Sequence, residues 1–195
     1  MPAVVNHDSR RLEIAAAVGK LVARSGIQSV TVRAVAKEAG YSSAIIGHYF
    51  HNKEDLLNFT YLSARHRTAS RVERAMMAGK SVFDCLTECL PTNVGQRIDW
   101  MLWFGFWGMA SDNKALTEER GRGLKEANVL FQRVLTAAKL RGELPESIDC
   151  ETQAVHLTIF INGIASLAVQ MPESWPAKLQ ESWLKKEIEA ITNQG

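Results

Sequence analysis

The side chains with the most distinctive chemistry lie in residues 94–110, which hold three of the five tryptophans of the chain. This stretch is predicted to be helical, and one face carries aromatic residues at i, i+3, i+4 and i+7: Trp100, Trp103, Phe104 and Trp107. Such a stripe usually belongs to a hydrophobic core, because aromatic side chains dominate buried area. It could instead form a cage for an organic cation, since indole faces attract quaternary ammonium groups. A cage would also need a carboxylate or hydroxyl group, for which Asp99, Glu118 and Glu119 are candidates.

Other reactive side chains do not form a recognisable site. Cys85 and Cys89 lie four residues apart on a predicted helix, and His156 could join them, but cysteine metal sites usually show paired short spacings. The five histidines do not fall in a nucleophile motif, and the sequence has no phosphate-binding glycine loop or dinucleotide motif. We therefore predict structural cysteines, no metal, no cofactor and no enzymatic activity.

Residues 31–57 (TVRAVAKEAGYSSAIIGHYFHNKEDLL) predict two short helices and the start of a long one. Thr31 precedes an apolar stripe and Gly40 follows it, which is the order of an N-cap and a C-terminal turn. Ser42 then caps a second helix, and Asn52 caps a third, whose first turn is acidic. The segment is therefore predicted to form a helix, a tight turn, a second helix, a short break and then a long helix.

The second of these helices has an exposed side of small or polar residues, Ser43, Ala44, Gly47 and His48. A helix with such a face fits the major groove of DNA, which is wide enough for one helix. A solvated helical hairpin in an ordinary all-α protein would show the same pattern of helix caps and turns. Arg10 and Arg11, at the entry to an earlier helix predicted over 9–25, are either phosphate contacts or solvated ends.

The run T-x-R-x-x-A-x-x-A-G-x-S-x-x-x-I-x-x-Y-F-x-x-K-E-x-L resembles the DNA-binding domain of the TetR family of repressors, over roughly residues 9–57. Residues 44–50 (AIIGHYF) resemble the BetI group of choline-responsive repressors within that family. Gly47 departs from the tyrosine that is usual in the family, which removes a phosphate contact, but a small residue is found there in the BetI group. The resemblance implies these DNA-binding residues: Thr31, Arg33, Ser42, Ser43, Ala44, Ile45, Gly47, His48, Tyr49 and Lys53.

Among these, the resemblance places Ser43, Ala44 and His48 at base edges, and phosphate contacts at Ser42, Tyr49 and Lys53. Arg33 would reach a base or a phosphate, and Ile45 a thymine methyl group or the backbone. Val35, Ile46 and Phe50 are expected to pack in the core.

The resemblance also implies an effector pocket among the C-terminal helices, with choline or another quaternary ammonium compound as a possible effector. We assign to it Trp100, Trp103, Phe104 and Trp107, with Phe160 and Asn162 from a long apolar helix predicted over 150–171. The two last helices have more apolar surface than one chain requires, which predicts a homodimer reading a palindromic operator. Two alternatives stay open: a different hydrophobic drug or metabolite as effector, and a helical module that binds a protein partner.

We predict an all-α fold with a helix-turn-helix domain over 1–53 and an effector-binding and dimerisation domain over 54–195. A long connecting helix, from about 53 to 78, joins them, and its arginines are expected to be solvated. Residues 1–53 hold seven Lys and Arg against three acids (+4), and the remainder sixteen against eighteen (−2), so the basic end is the one suited to phosphates. The sequence shows no apolar signal-peptide core, no transmembrane run and only three cysteines, so we expect a cytoplasmic protein.

Overall fold

The computed structural model describes residues 7–110 and 113–193 of the 195-residue chain. Within these ranges the chain is helical and contains no strand, which confirms the all-α prediction. The helices are α1 (His7–Ser25), α2 (Val32–Ala39), α3 (Ser43–Tyr49), α4 (Lys53–Met77), α5 (Val82–Thr87), α6 (Val94–Ala110), α7 (Lys114–Leu140), α8 (Cys150–Gln170) and α9 (Ala177–Thr192), with a 3-10 turn at Ile27–Ser29. The outermost ends of the two predicted domains lie outside the described residues.

Helices α2 and α3 begin and end where the sequence predicts. Thr31 Oγ1 accepts a hydrogen bond from the backbone N–H of Ala34 at 3.1 Å, and Ser42 Oγ accepts one from Ile45 at 3.3 Å. These caps satisfy donors that a helix leaves unpaired in its first turn. Gly40 ends α2 with a φ of 74°, in the left-handed region that favours glycine. The chain therefore turns from α2 into α3 within a few residues.

One hydrophobic core joins α1, α2 and α3 to the start of α4. Val18 on α1, Val35 on α2, Ile46 on α3 and Leu56 on α4 are fully buried, and Phe50 is nearly so. Val35, Ile46 and Phe50 are therefore packing residues, as predicted.

Arg11 is neither a solvated end nor a free phosphate ligand. Its guanidinium lies 4.8 Å from the ring centroid of Phe50 and 4.2 Å from that of Phe59, which is cation–π geometry. The carboxylate of Asp55 is 3.9 Å from one of its terminal nitrogens. Arg11 therefore ties α1 to the first turns of α4.

Helix α4 is the long connector predicted after Asn52. The prediction that its arginines are solvated is wrong for Arg65 and Arg71, whose side chains are 15% and 22% exposed, whereas Arg67 and Arg74 are exposed. Arg67 and Arg71 both contact the carboxylate of Asp99 on α6, whose side chain is only 4% exposed. Burying an aspartate is costly unless a cation compensates it, and two guanidinium groups do so here.

Arg65, two residues before Arg67 on α4, makes a similar contact with α7. It pairs with Glu119 and Glu126, while Arg74 further along the helix is exposed. The arginines of α4 therefore fasten the connector to the helices of the C-terminal domain.

Helix α7 is a single helix and packs along α8. Helix α8 buries one side against its neighbours but leaves an apolar face exposed, with Val155 42%, Ile159 69% and Leu167 37% exposed. Among the described helices α8 alone has the length and apolar composition that a membrane span requires, and a core helix can meet both criteria equally well.

Helix α6 packs against the N-terminal domain as well as against α4, α7 and α8. Gly19 of α1 lies against Ile98 of α6, and a Cβ added at Gly19 would be 3.0 Å from the Ile98 side chain. Gly105 lies against Ile27 of the 3-10 turn, and a Cβ added there would be 2.8 Å from the Ile27 Cβ. Two glycines thus allow α6 to approach the N-terminal domain more closely than larger residues would.

Replacing Gly105 with alanine should lower the free energy of unfolding by about 1–3 kcal/mol, because the added methyl group overpacks the contact with Ile27. Urea unfolding followed by far-UV circular dichroism measures this. Gly108→Ala is the matched control, since a Cβ there meets nothing within 4 Å. It should be neutral or stabilise by up to about 1 kcal/mol through its better helix propensity. Equal effects of the two substitutions would contradict a tight α6–Ile27 contact.

Candidate DNA-binding surface and effector cavity

Helix α3 presents the side chains that the sequence assigns to DNA. Ile46 faces the core, whereas the predicted contact residues of this helix are exposed: Ser43, Ala44, Ile45, Gly47 and His48. The exposed residues are small or polar apart from Ile45, so the helix backbone can come close to another surface. This arrangement suits insertion into the major groove, where a helix reads base edges.

The remaining predicted DNA-binding residues flank α3 in sequence. Thr31 and Ser42 are exposed, and their oxygens accept the capping hydrogen bonds, which leaves each hydroxyl proton available for a phosphate oxygen. Arg33 is exposed at the start of α2, and Tyr49 and Lys53 are partly exposed at the end of α3 and the start of α4. All ten predicted positions therefore have some accessible surface.

A hydrogen-bonded cluster that sequence reasoning missed braces the turn between α2 and α3. Tyr41 donates a hydrogen bond to the Glu13 carboxylate of α1 at 2.6 Å, and Arg10 contacts both side chains. The hydrogen bond from Tyr41 lowers the pKa of Glu13, and the same bond raises the pKa of the Tyr41 phenol. Arg10 is therefore bound within the protein. No local pattern could reveal this, because the partners on α1 and in the turn are about thirty residues apart.

Helices α4, α6, α7 and α8 line a cavity of about 570 Å³ in the C-terminal domain, which is open to solvent on one side. Four of the six predicted effector-binding residues line it: Trp100, Trp103, Trp107 and Asn162. The other two, Phe104 and Phe160, do not line the cavity. Phe104 packs against the rings of Trp100 and Trp107, and Phe160 stacks near His156. Sequence reasoning missed the contributions of α4 and α7, which include Tyr61, Arg65, Arg120 and Leu130.

The three tryptophans of the cavity differ in their hydrogen bonding. Trp100 Nε1 donates to the backbone oxygen of Cys89 at 2.7 Å, so this indole is fixed in the wall. Trp103 is 8% exposed, and its Nε1 donor is buried without a partner among the described residues. Trp107 carries the guanidinium of Arg120 over its ring, 5.0 Å from the centroid. Trp107 Nε1 is likewise buried without a partner among the described residues, so the wall holds two unpaired N–H donors, and one indole ring already has a cation over it.

The acids proposed for a cation cage are all engaged with basic side chains. Asp99 contacts Arg67 and Arg71, and Glu119 pairs with Arg65 and Arg122; both of these acids are nearly buried. The carboxylate of Glu118 lies 4.0 Å from the ammonium group of Lys114. The two acids that line the cavity are also paired, Glu73 with Arg133 and Glu126 with Arg65.

Within residues 7–110 and 113–193, no three His, Cys, Asp or Glu side chains lie close enough together to hold a metal ion. Cys85, Cys89 and Cys150 are free thiols. Burial raises the pKa of the Cys89 thiol to about 12, so this cavity residue is a thiol and not a thiolate at neutral pH.

Comparison with known proteins finds a matching family for each of the two parts of the chain. Residues 14–58 match the bacterial regulatory proteins of the tetR family, and residues 80–193 match the C-terminal domain of BetI-type transcriptional repressors. The chain is 26% identical over 176 residues to the HTH-type transcriptional regulator PksA of Bacillus subtilis (strain 168), covering 88% of this chain and 84% of PksA. It is 26% identical over 179 residues to the HTH-type transcriptional regulator BetI of Vibrio parahaemolyticus serotype O3:K6, covering 86% and 80%.

The fold is also that of solved regulators. A transcriptional regulator from Saccharomonospora viridis, solved in complex with choline, superposes with a TM-score of 0.80 at 19% identity, covering 93% of this chain and 96% of that one. At this identity the likeness shows the fold alone.

The capped helix-turn-helix and the helical domain behind it define a DNA-binding transcriptional regulator. The chain belongs to the TetR family and carries a BetI-type C-terminal domain. Regulators of this family bind DNA operators and small-molecule ligands, act as dimers and are typically cytoplasmic.

Two neighbouring isoleucines test the orientation of α3. Ile46→Ala should lower the free energy of unfolding by about 2–5 kcal/mol, because it leaves a cavity at a fully buried site. Ile45→Ala should change it by no more than about 0.5 kcal/mol, since Ile45 is 40% exposed. Both values come from urea unfolding under the same conditions. A large loss for Ile45→Ala with little for Ile46→Ala would mean that the other face of α3 meets the core.

Proposed function

We propose that this protein is a dimeric, non-enzymatic, cytoplasmic repressor that leaves a palindromic operator when a small molecule fills the cavity between α4, α6, α7 and α8. The observation that carries the proposal is the position of α6. One side of this helix supplies the three tryptophans of the cavity, and Gly105 on the same helix packs against Ile27 of the N-terminal domain. A ligand that displaces α6 therefore also displaces the domain that holds α3.

The exposed apolar face of α8 and α9 supports the dimer. Val155, Ile159 and Leu167 on α8 are exposed, and so are Leu179 and Trp183 on α9. Water contact at such a face is unfavourable, and pairing it with the same face of a second chain would bury it. The exposed Gly163 lies between Ile159 and Leu167, where the absence of a side chain permits a close helix–helix approach. Two-fold pairing would present two copies of α3 to one duplex.

Release follows as a shift between two conformations. The free and operator-bound forms differ in the spacing of the two N-terminal domains, and a ligand acts only through its preference for one of them. Helix α4 transmits the change together with α6, because Arg67 and Arg71 join it to Asp99.

Choline or another quaternary ammonium compound stays a prediction for the effector. It is supported by the three tryptophans in the cavity wall and by the BetI-type C-terminal domain. The regulator from Saccharomonospora viridis binds choline, but its 19% identity does not carry the ligand over to this chain. Another hydrophobic drug or metabolite is the alternative, supported by the apolar lining and the size of the cavity.

Selection from random duplexes by the full-length protein tests the proposal directly. The selected sequence should be an inverted repeat with half-sites about one helical turn apart, and the affinity should fall steeply with salt. Arg33→Ala should weaken binding to this duplex about tenfold, because one base or phosphate contact is worth about 1–3 kcal/mol.

Arg122→Ala, which removes an exposed arginine of α7, is the matched control and should leave the affinity unchanged. A selected single half-site would contradict the dimer. No enrichment by the folded protein would contradict DNA recognition and favour a helical module that binds a protein partner.

A further inference from the structure

We infer that the effector is an amphipathic anion, with an apolar chain and a carboxylate head of the kind found in a fatty acid. This inference rests on the proposed function, because it names the ligand class for the same cavity. It departs from the quaternary ammonium prediction, and the chemistry of the lining side chains is the reason.

The size and lining of the cavity require a largely apolar ligand. Its volume of about 570 Å³ falls in the range of pockets that hold drug-sized molecules, and choline would leave most of it empty. Side chains such as Leu62, Leu130 and Ile161 line it alongside the tryptophans. Leu124 and Val129 of α7 also line it and are exposed, so an apolar edge continues toward solvent. An extended hydrocarbon chain would contact this apolar surface along its whole length.

Of the features that would bind an organic cation, one indole ring and both lining acids already contact internal cations. A cation cage needs an open aromatic face, but the guanidinium of Arg120 lies over the ring of Trp107. The acids that line the cavity, Glu73 and Glu126, are paired with Arg133 and Arg65. A quaternary ammonium ligand would have to compete with these internal cations.

The charge that remains at the cavity is positive. Its lining includes four basic side chains and two acidic ones, which are Arg65, Arg120, Lys125 and Arg133 against Glu73 and Glu126. Within the described ranges neither Arg120 nor Lys125 has a carboxylate within 4.0 Å, whereas Arg65 and Arg133 do. Arg120 and Lys125 can therefore receive a carboxylate without breaking an existing ion pair.

The buried donor of Trp103 points to the same chemistry. Its side chain lines the cavity, is 8% exposed, and has an Nε1–H without an acceptor. A buried donor left unpaired is unfavourable, and its Nε1 exposes almost no surface, so a ligand oxygen would satisfy it once the neighbouring wall side chains adjust. A carboxylate, or the hydroxyl or carbonyl group of a substituted fatty acid, supplies this oxygen, whereas a trimethylammonium group does not.

Three probes with the same hydrocarbon chain and different heads separate the possibilities: dodecanoate, dodecanol and dodecyltrimethylammonium. Each is titrated below its micelle concentration into the full-length protein, with tryptophan fluorescence as the signal and choline as a fourth ligand. Dodecanoate should bind saturably and at least about tenfold more tightly than the neutral or cationic analogue, since a charge-assisted hydrogen bond is worth about 1.5–3 kcal/mol. Tighter binding of dodecyltrimethylammonium, a response to choline alone, or no binding of any probe would overturn the inference.

A matched pair of variants locates the head group. Arg120→Gln should weaken dodecanoate about tenfold while leaving dodecanol unchanged, because only the charged contact is lost. Lys114→Gln is the matched control. Lys114 lies on the same helix, is exposed and does not line the cavity, so its substitution should leave the affinities for dodecanoate and dodecanol unchanged. Circular dichroism confirms that each variant is folded. Equal weakening of dodecanoate and dodecanol by Arg120→Gln would mean that Arg120 supports the cavity wall instead of binding the head.

Operator binding in the same samples separates failure of this inference from failure of the proposed function. Dodecanoate should weaken the complex with the selected duplex. Saturable dodecanoate binding without release would support the ligand class but contradict ligand-induced release. Release by choline, without dodecanoate binding, would support the proposed function and overturn the ligand class.

Discussion

Helix α6 is packed tightly against the N-terminal domain, and the proposed release of DNA depends on this contact. Gly105 allows α6 to lie against Ile27, and Gly19 allows α1 to lie against Ile98, so both contacts are at the limit of close packing. The other side of α6 forms part of the cavity. Packed interiors are hard to compress, so a displacement on one side of the helix must appear on the other.

The arginines of α4 extend this constraint to a second helix. Asp99 is buried on α6 and contacts Arg67 and Arg71, so α4 and α6 move together unless a buried charge is exposed or left unpaired. Arg65 holds α4 to α7 through Glu119 and Glu126. Direct contacts therefore join the connector, two walls of the cavity and the first domain.

How much the sequence could predict depended on the distance along the chain over which each interaction acts. The caps at Thr31 and Ser42 were predictable because a cap acts within three residues of itself. The partners of Arg65 were not, since they lie 54 and 61 residues away. Phe160 and Asn162 were assigned to one site, but residues two apart are about 200° apart around a helix, and only Asn162 lines the cavity.

Coupling through α6 can be measured without knowing the effector, by a double-mutant cycle on affinity for the selected operator. The cycle joins Trp103→Phe in the cavity to Ile27→Val in the N-terminal domain. A second cycle joins Ile27→Val to Leu140→Ala, at an exposed position at the end of α7 that does not line the cavity. Coupling through α6 predicts that the first pair is non-additive by more than about 0.5 kcal/mol, while the second is additive. Additivity within about 0.3 kcal/mol in the first cycle would contradict it, and the cavity would then have to reach the DNA-binding surface by another route.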